Sequence, residues 1–199
     1  LAKDYPGLEV HAICTDFSKA FDIPESLPGQ RRIAFFPGST IGNFEPQAAT
    51  EFLSRIAQHV GPGGGLLIGA DRKKDEARLL AAYSDEAGVT AAFNRNLLSR
   101  VNSELGGDFD MDAFEHDAIY NRAAGRIEMH LVSLRDQTVS IDGKQFFFSE
   151  KETIHTENSH KYEIGEFQSL ASEVGFAAKS VWSDAEELFS VHYFEFPAG

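Results

Sequence analysis

The sequence predicts an α/β fold interrupted by an α+β insertion, and three observations carry that expectation. Short runs that are apolar on both faces, at 31–36 and 63–71, flank a helical pattern at 45–61, which is how parallel strands and their crossover helix read. From residue 72 the pattern changes to two helices, an alternating run and a hairpin signal. From residue 163 the first style returns.

Taken in order, "LEVHAICTDF" (8–17) reads as a β-branched, mostly apolar strand ending in Thr-Asp. Pro24, Pro28 and Gly29 mark a loop. "RRIAFF" (31–36) is a second buried strand, followed by the dense small and polar stretch "PGSTIGN" (37–43). The helix over 45–61 has Pro46 in its first turn, Ala49, Phe52, Leu53, Ile56 and Val60 on one face, and Gly61 at its end. "GGGLLIGAD" (63–71) is a third strand. Residues 73–83 and 90–105 read as helices, the second with Thr90 as N-cap and with Phe93, Leu97, Leu98, Val101 and Leu105 buried. "RIEMHLVSL" (126–134) alternates like a half-buried strand, and Asp142-Gly143 sits where a two-residue hairpin turn belongs in 137–148. A helix over 164–176 and strands at 179–184 and 189–196 complete the chain. The expected division is a core of 1–71 and 163–199 with 72–162 inserted.

The 199 residues carry 31 acidic and 18 basic side chains, a formal charge of −13, with no Lys/Arg cluster. Nucleic acid and anionic membrane are therefore not expected partners. No apolar run reaches the roughly 18–20 residues of a membrane span. The single Cys14 excludes an internal disulfide framework and fits a reducing, cytoplasmic setting. No secretory leader is read at the start, which lacks an initiator Met.

Several chemistries lack their residues. Cys-x-x-Cys and His-Glu-x-x-His are absent, so no metal is expected, and His155-Thr-Glu157 is a weak pair needing a third ligand. Ser39 lies outside a Gly-x-Ser-x-Gly elbow. Gly63-Gly64-Gly65 precedes its strand, whereas a phosphate loop follows one. Ligands in such sheets sit beyond the carboxyl ends of the strands, where Asp16, Pro37–Asn43 and Asp71 fall. In that stretch Gly38 and Gly42 allow close backbone approach, and Ser39, Thr40 and Asn43 offer hydrogen bonds. Both a ligand loop and a helix-capping turn fit this pattern. In "HTENSHKY" (155–162), strand alternation puts Glu157 and Ser159 on one face and Asn158 on the other. That face is either a ring-binding pair, Glu accepting and Ser donating or accepting, or a solvated edge.

"FFPGSTIGNFEP", "LLIGADRKKD", "AAYSDEAGVTAAFNRNLL", "ELGGDFD", "RIEMHL" and "TENSHKY" together resemble the S-adenosylmethionine-dependent histidine Nα-methyltransferases of ergothioneine biosynthesis, over about Val10 to Phe196. The resemblance implies a Rossmann-like class I methyltransferase sheet with an inserted α+β substrate-binding subdomain. It implies methyl transfer from S-adenosylmethionine to the α-amine of L-histidine, towards the trimethylated betaine. It implies Asp16 and Phe17 at the cofactor, with Gly38 beside it. Asn43, Thr40 and Tyr83 hold the amino-acid head, Thr90 and Met129 line the pocket, and Glu157 and Ser159, with Asn158 between them, clasp the imidazole. No residue stands out as a general base. The family's first strand, Gly-rich cofactor loop and ribose-binding acid match nothing after Leu1. Poor or absent cofactor binding, and no activity, by these residues alone is the expectation, with an exposed sheet edge prone to aggregation or strand-swapped dimers. A methyltransferase for another aromatic amino acid or amine, and a non-catalytic small-molecule binder, remain as alternatives.

Overall fold

The computed structural model describes residues 3–23 and 31–198, and the chain falls into two compact units, 1–30 and 31–199. In the first, residues 3–23 form turns, a bend and irregular stretches without helix or strand. The expected strand over 8–17 is therefore corrected. An apolar extended run becomes a strand only when a neighbour takes its backbone groups, and here Val10 and Ile13 are about half exposed. The loop expected at Pro24, Pro28 and Gly29 lies outside the described residues.

In the second unit, β1 (Ile33–Phe36), β2 (Gly65–Asp71), β8 (Ala177–Ser183) and β9 (Phe189–Glu195) form a four-stranded sheet in the order β1-β2-β9-β8. β1 and β2 are parallel, while β9 runs antiparallel to both its neighbours. Between β1 and β2 lies α1 (Pro46–Val60). Its Ala49, Phe52, Leu53, Ala57 and Val60 are buried against Ile41, Leu66, Ile68 and, from α4 (Ile164–Glu173) and β9, Phe167 and Phe194. Each of the larger of these side chains contributes about 1.5–3 kcal/mol by leaving water.

A second sheet, in the order β3-β4-β7, joins β3 (Phe114–Asn121), β4 (Arg126–Ser133) and β7 (Thr153–His160), all antiparallel. α2 (Glu76–Tyr83) and α3 (Val89–Leu105) pack on β3 and β4. The hairpin of β5 (Gln137–Ile141) and β6 (Lys144–Phe148) turns at Asp142-Gly143, both with positive φ, as expected. β3 has no counterpart in the sequence reading.

α3 departs from expectation in two ways. Its cap is the Asp85 carboxylate, which takes the Val89 and Thr90 N–H groups at 2.9 and 2.8 Å, so Thr90 lies inside the helix. Of the five residues expected in the core only Leu98 is buried, and Phe93, Leu97 and Leu105 are exposed. The face that packs inward is instead marked by Asn94, which is fully buried and donates to His116 Nδ1 and to the His130 carbonyl. A periodic apolar pattern does not say which part of a wide stripe meets the sheet.

Two features place the site. Thr40–Asn43 form a 3₁₀ turn after β1, and Gly42 within it lies against β7 so closely that a Cβ would stand 2.7 Å from the His160 carbonyl oxygen. Gly42 therefore serves contact between backbones, not approach to a ligand. Arg72 and Tyr162 form a parallel bridge, and Tyr162 N–H donates to the Asp71 carbonyl at 3.0 Å. The end of β7 is thus stitched to the carboxyl end of β2.

Candidate functional site

A cavity of about 340 Å³ opens where the carboxyl ends of β1 and β2 meet β7. Gly38, Thr40 and Asn43 line it from the loop, Tyr83 from the end of α2, and Glu157 and Ser159 from β7. Asp71, Lys161, Ser39 and Phe189 complete the wall.

Each wall is held by identifiable bonds. Ser39 adopts the left-handed region, φ 60°, and its Oγ accepts the Asp71 N–H at 2.8 Å. This ties the loop to β2, a role no sequence signal announced. Gly38, at φ 79°, has open space where a Cβ would point, so the loop approaches the cavity as bare backbone. Tyr83 is fixed through its own carbonyl, which receives His116 Nε2 at 2.7 Å. The Asn94 amide enters His116 Nδ1, so the imidazole is neutral with its hydrogen on Nε2.

Register explains what β7 presents. Met129 pairs with Glu157 but His130 pairs with His155, leaving Thr156 as an extra residue whose hydroxyl donates to the Met129 carbonyl. This bulge reverses the alternation. Glu157, Ser159 and Lys161 face the cavity, whereas His155, two residues before Glu157, turns to the opposite face and stacks on His130 with centroids 4.6 Å apart. The pair His155/Glu157 noted in the sequence is thereby separated.

On that opposite face the potential ligand atoms of Glu128, His130 and His155 come within 4.8 Å of one another. The two rings lie nearly parallel, 21° apart, so their in-plane lone pairs do not converge on one point. Glu128 Oε1 is also taken by Asn121 at 2.9 Å and Arg126 at 2.8 Å. The arrangement is a charge network rather than a chelate. Burial pushes the Glu128 carboxyl up, but the bonds from Asn121, Arg126 and His130 outweigh it and hold the group at about 2.

Glu157 differs. Burial raises its carboxyl above the usual range, and the hydrogen bond from Asn43 and the charge of Lys161 offset that only in part. Lys161, 2% exposed, donates to Tyr83 Oη and Ser159 Oγ, each at 2.8 Å, and pairs with Asp71 Oδ2 at 2.8 Å. Lys74 holds the other oxygen of Asp71 at 2.5 Å.

The sequence-expected residues thus divide. Asn43, Thr40, Gly38, Tyr83, Glu157 and Ser159 converge on the cavity. Three others do not. Asn158 points away by strand alternation and donates to Glu45 at 2.7 Å. Thr90 is engaged with Asp85 at the start of α3. Met129, paired with Glu157 in register, is buried with Leu79 and Ile127 in a small core on which Tyr83 packs and is not among the cavity's lining residues. Asp16 and Phe17 lie in the first unit; the Ser18 hydroxyl, chiefly, and Lys19 hold the Asp16 carboxyl at about 2. Lys161 was missed, although the period that selects Glu157 and Ser159 selects it next.

Comparison with known proteins places the chain in a family. A family model described as histidine-specific methyltransferase, SAM-dependent, matches residues 1–196. A histidine N-alpha-methyltransferase of Mycolicibacterium smegmatis is 43% identical over 187 residues, covering 92% of this chain and 57% of that protein. Ergothioneine biosynthesis protein 1 of Schizosaccharomyces pombe is 28% identical, covering 98% of this chain and 26% of that protein. The chain thus spans about half the length, or less, of the curated relatives it matches. Among solved structures, an S-adenosylmethionine-dependent methyltransferase from Clostridium acetobutylicum aligns with a TM-score of 0.50 at 9% identity, over 98% of this chain and 69% of that one. The fold is that of a class I methyltransferase.

Proposed function

The chain belongs to the histidine-specific, S-adenosylmethionine-dependent methyltransferase family, and on that premise we propose that its cavity holds L-histidine for methylation of the α-amine. The observation that carries this reading is the half-buried Glu157 carboxylate, which lines the cavity and, among the described residues, takes a side-chain hydrogen bond from Asn43 beside the charge of Lys161. A ring N–H supplies a further partner, and Ser159 on the same face meets the second ring nitrogen. Residues 72–162 act as the substrate-binding subdomain, with Asn43 and Thr40 reaching it from the α/β core. The enzyme works in the cytosol on a small molecule.

S-adenosylmethionine supplies, when bound, an electrophilic methyl group on a sulfonium. Gly38 fits a neighbouring cofactor, since its bare backbone leaves room at the carboxyl end of β1; Asp16 and Phe17 are the further contacts that the family resemblance implies. The protein's own work is placement. Glu157 and Ser159 fix the ring, and Thr40 and Asn43 lie where the amino-acid head is held. The amine must be uncharged to have a lone pair to give, and its proton leaves to water. Repeated rounds, ending in the trimethylated betaine, require that the spent thioether give way to a fresh S-adenosylmethionine, that the amine lose its proton and that it rotate between transfers.

The test is a methylation assay with mass detection on the full-length protein, offering histidine, tryptophan and phenylalanine. Mass gains confined to histidine are expected. Equal turnover of all three would overturn the reading.

A further inference from the structure

The reading above gives Lys161 no task, yet its side chain is only 1% exposed at the cavity wall. An ammonium has three hydrogens to give and no lone pair. Those hydrogens face Tyr83 Oη, Ser159 Oγ and Asp71 Oδ2, each at 2.8 Å. Tyr83 Oη and Ser159 Oγ are also 2.8 Å apart, so one hydrogen is shared between the two hydroxyls. The phenol is the more acidic of them, and it donates. Ser159 Oγ therefore accepts twice. With both lone pairs filled, its own hydrogen remains for whatever enters the cavity. Two residues earlier on the same face stands Glu157, which only accepts when ionised.

We propose that Lys161 is a specificity-determining positioning residue: together with Tyr83 it fills the Ser159 lone pairs and so makes that hydroxyl a donor. The pair Glu157 and Ser159 then reads a ring with one N–H and one bare nitrogen. Neutral imidazole has that pattern. A pyrrole has the N–H alone, a thiazole the bare nitrogen alone, and an imidazolium two N–H groups. Asp71 holds the ammonium from the far side and keeps Lys74 as a partner when Lys161 is replaced. The inference rests on the histidine reading and deepens it.

The test compares kcat and KM of the full-length protein for histidine, a pyrrolylalanine and a thiazolylalanine. The unaltered protein prefers histidine to both. In Lys161→Met the preference over pyrrolylalanine falls about tenfold, the effect of one lost hydrogen bond, and the loss appears in KM. The preference over thiazolylalanine persists, because Glu157 still takes the ring N–H. Ser159→Ala gives the same pattern, and adding Lys161→Met to it changes the ratio no further. An unchanged ratio in Lys161→Met, or an equal loss for all three substrates, overturns the assignment. If that variant does not fold, Tyr83→Phe frees one Ser159 lone pair and lowers the ratio by a smaller factor; an unchanged ratio there overturns it equally. Failure of the unaltered protein to turn over histidine would instead overturn the histidine reading, and this inference with it.

Discussion

Glu128 and Glu157 sit on paired strands, one residue apart in register, and face opposite sides of the same sheet. Burial acts on both carboxyls in the same direction. Glu128 meets Asn121, Arg126 and His130 and ends at about 2, whereas Glu157 meets Asn43 and the charge of Lys161 and ends above its ordinary value. The structural carboxylate here is the one with three bonded partners, and the receptive one has fewer. Among the described residues, Glu128 on one side of the sheet is bonded by Asn121, Arg126 and His130, and Glu157 on the other by Asn43.

The strongest way to break this comparison is Glu157→Ala. It should cost on the order of 2–4 kcal/mol in kcat/KM for histidine, as expected for a lost charged hydrogen bond. The variant should also lose discrimination against tryptophan and phenylalanine; if it keeps wild-type selectivity, Glu157 does not hold the ring. Arg126→Met should act on stability instead. It removes a donor from a buried carboxylate that retains Asn121 and His130, so urea denaturation should report a loss of about 2–3 kcal/mol, with selectivity for histidine intact.

The two groups should also show opposite pH slopes. Glu128 is depressed from 4.5 to about 2 on folding, so its contribution is present above pH 4.5 and drains away as pH falls towards 2. Glu157 is raised, so its ionisation costs stability as pH rises above 4.5. Glu128→Gln should flatten the acid limb of a stability curve, and Glu157→Gln should raise stability at neutral pH by under about 1 kcal/mol while impairing turnover. A matching acid limb in Glu128→Gln and the parent would remove the contrast. As the smallest effect, Gly143→Ala in the distant hairpin turn should cost about 1 kcal/mol and leave both the pH slopes and the kinetics alone.

Much of this was legible in the sequence because each reading rested on local rules. α1 announced its face, first-turn proline and terminal glycine, and Asp142-Gly143 announced its turn. Glu157 and Ser159 were paired by strand period alone. What escaped depended on partners distant in sequence. The run at 8–17 has the composition of a strand but no ladder. β3, "FEHDAIYN", carries a histidine on its inner face because His116 accepts from Asn94 and donates to the Tyr83 carbonyl there. α3 buries an asparagine and exposes Phe93 for the same reason. The bulge at Thr156, which sends His155 and Glu157 to different faces, has no signature in composition. Thr90 and Met129 came to the site from resemblance alone, which locates a residue in a pattern without saying which way it points; for Asn158 the strand period had already given the opposite face.

The missing Cβ of Gly42 has a consequence for how such a pocket diversifies. Because the loop and β7 touch main chain to main chain, the gap between the wall bearing Asn43 and the wall bearing Glu157 is a fixed gauge that no repacking of side chains can widen. Breadth belongs to the backbone and chemistry to the residues at 157, 159 and 161. Descendants of this scaffold can exchange the ring they grip without loosening the grip itself.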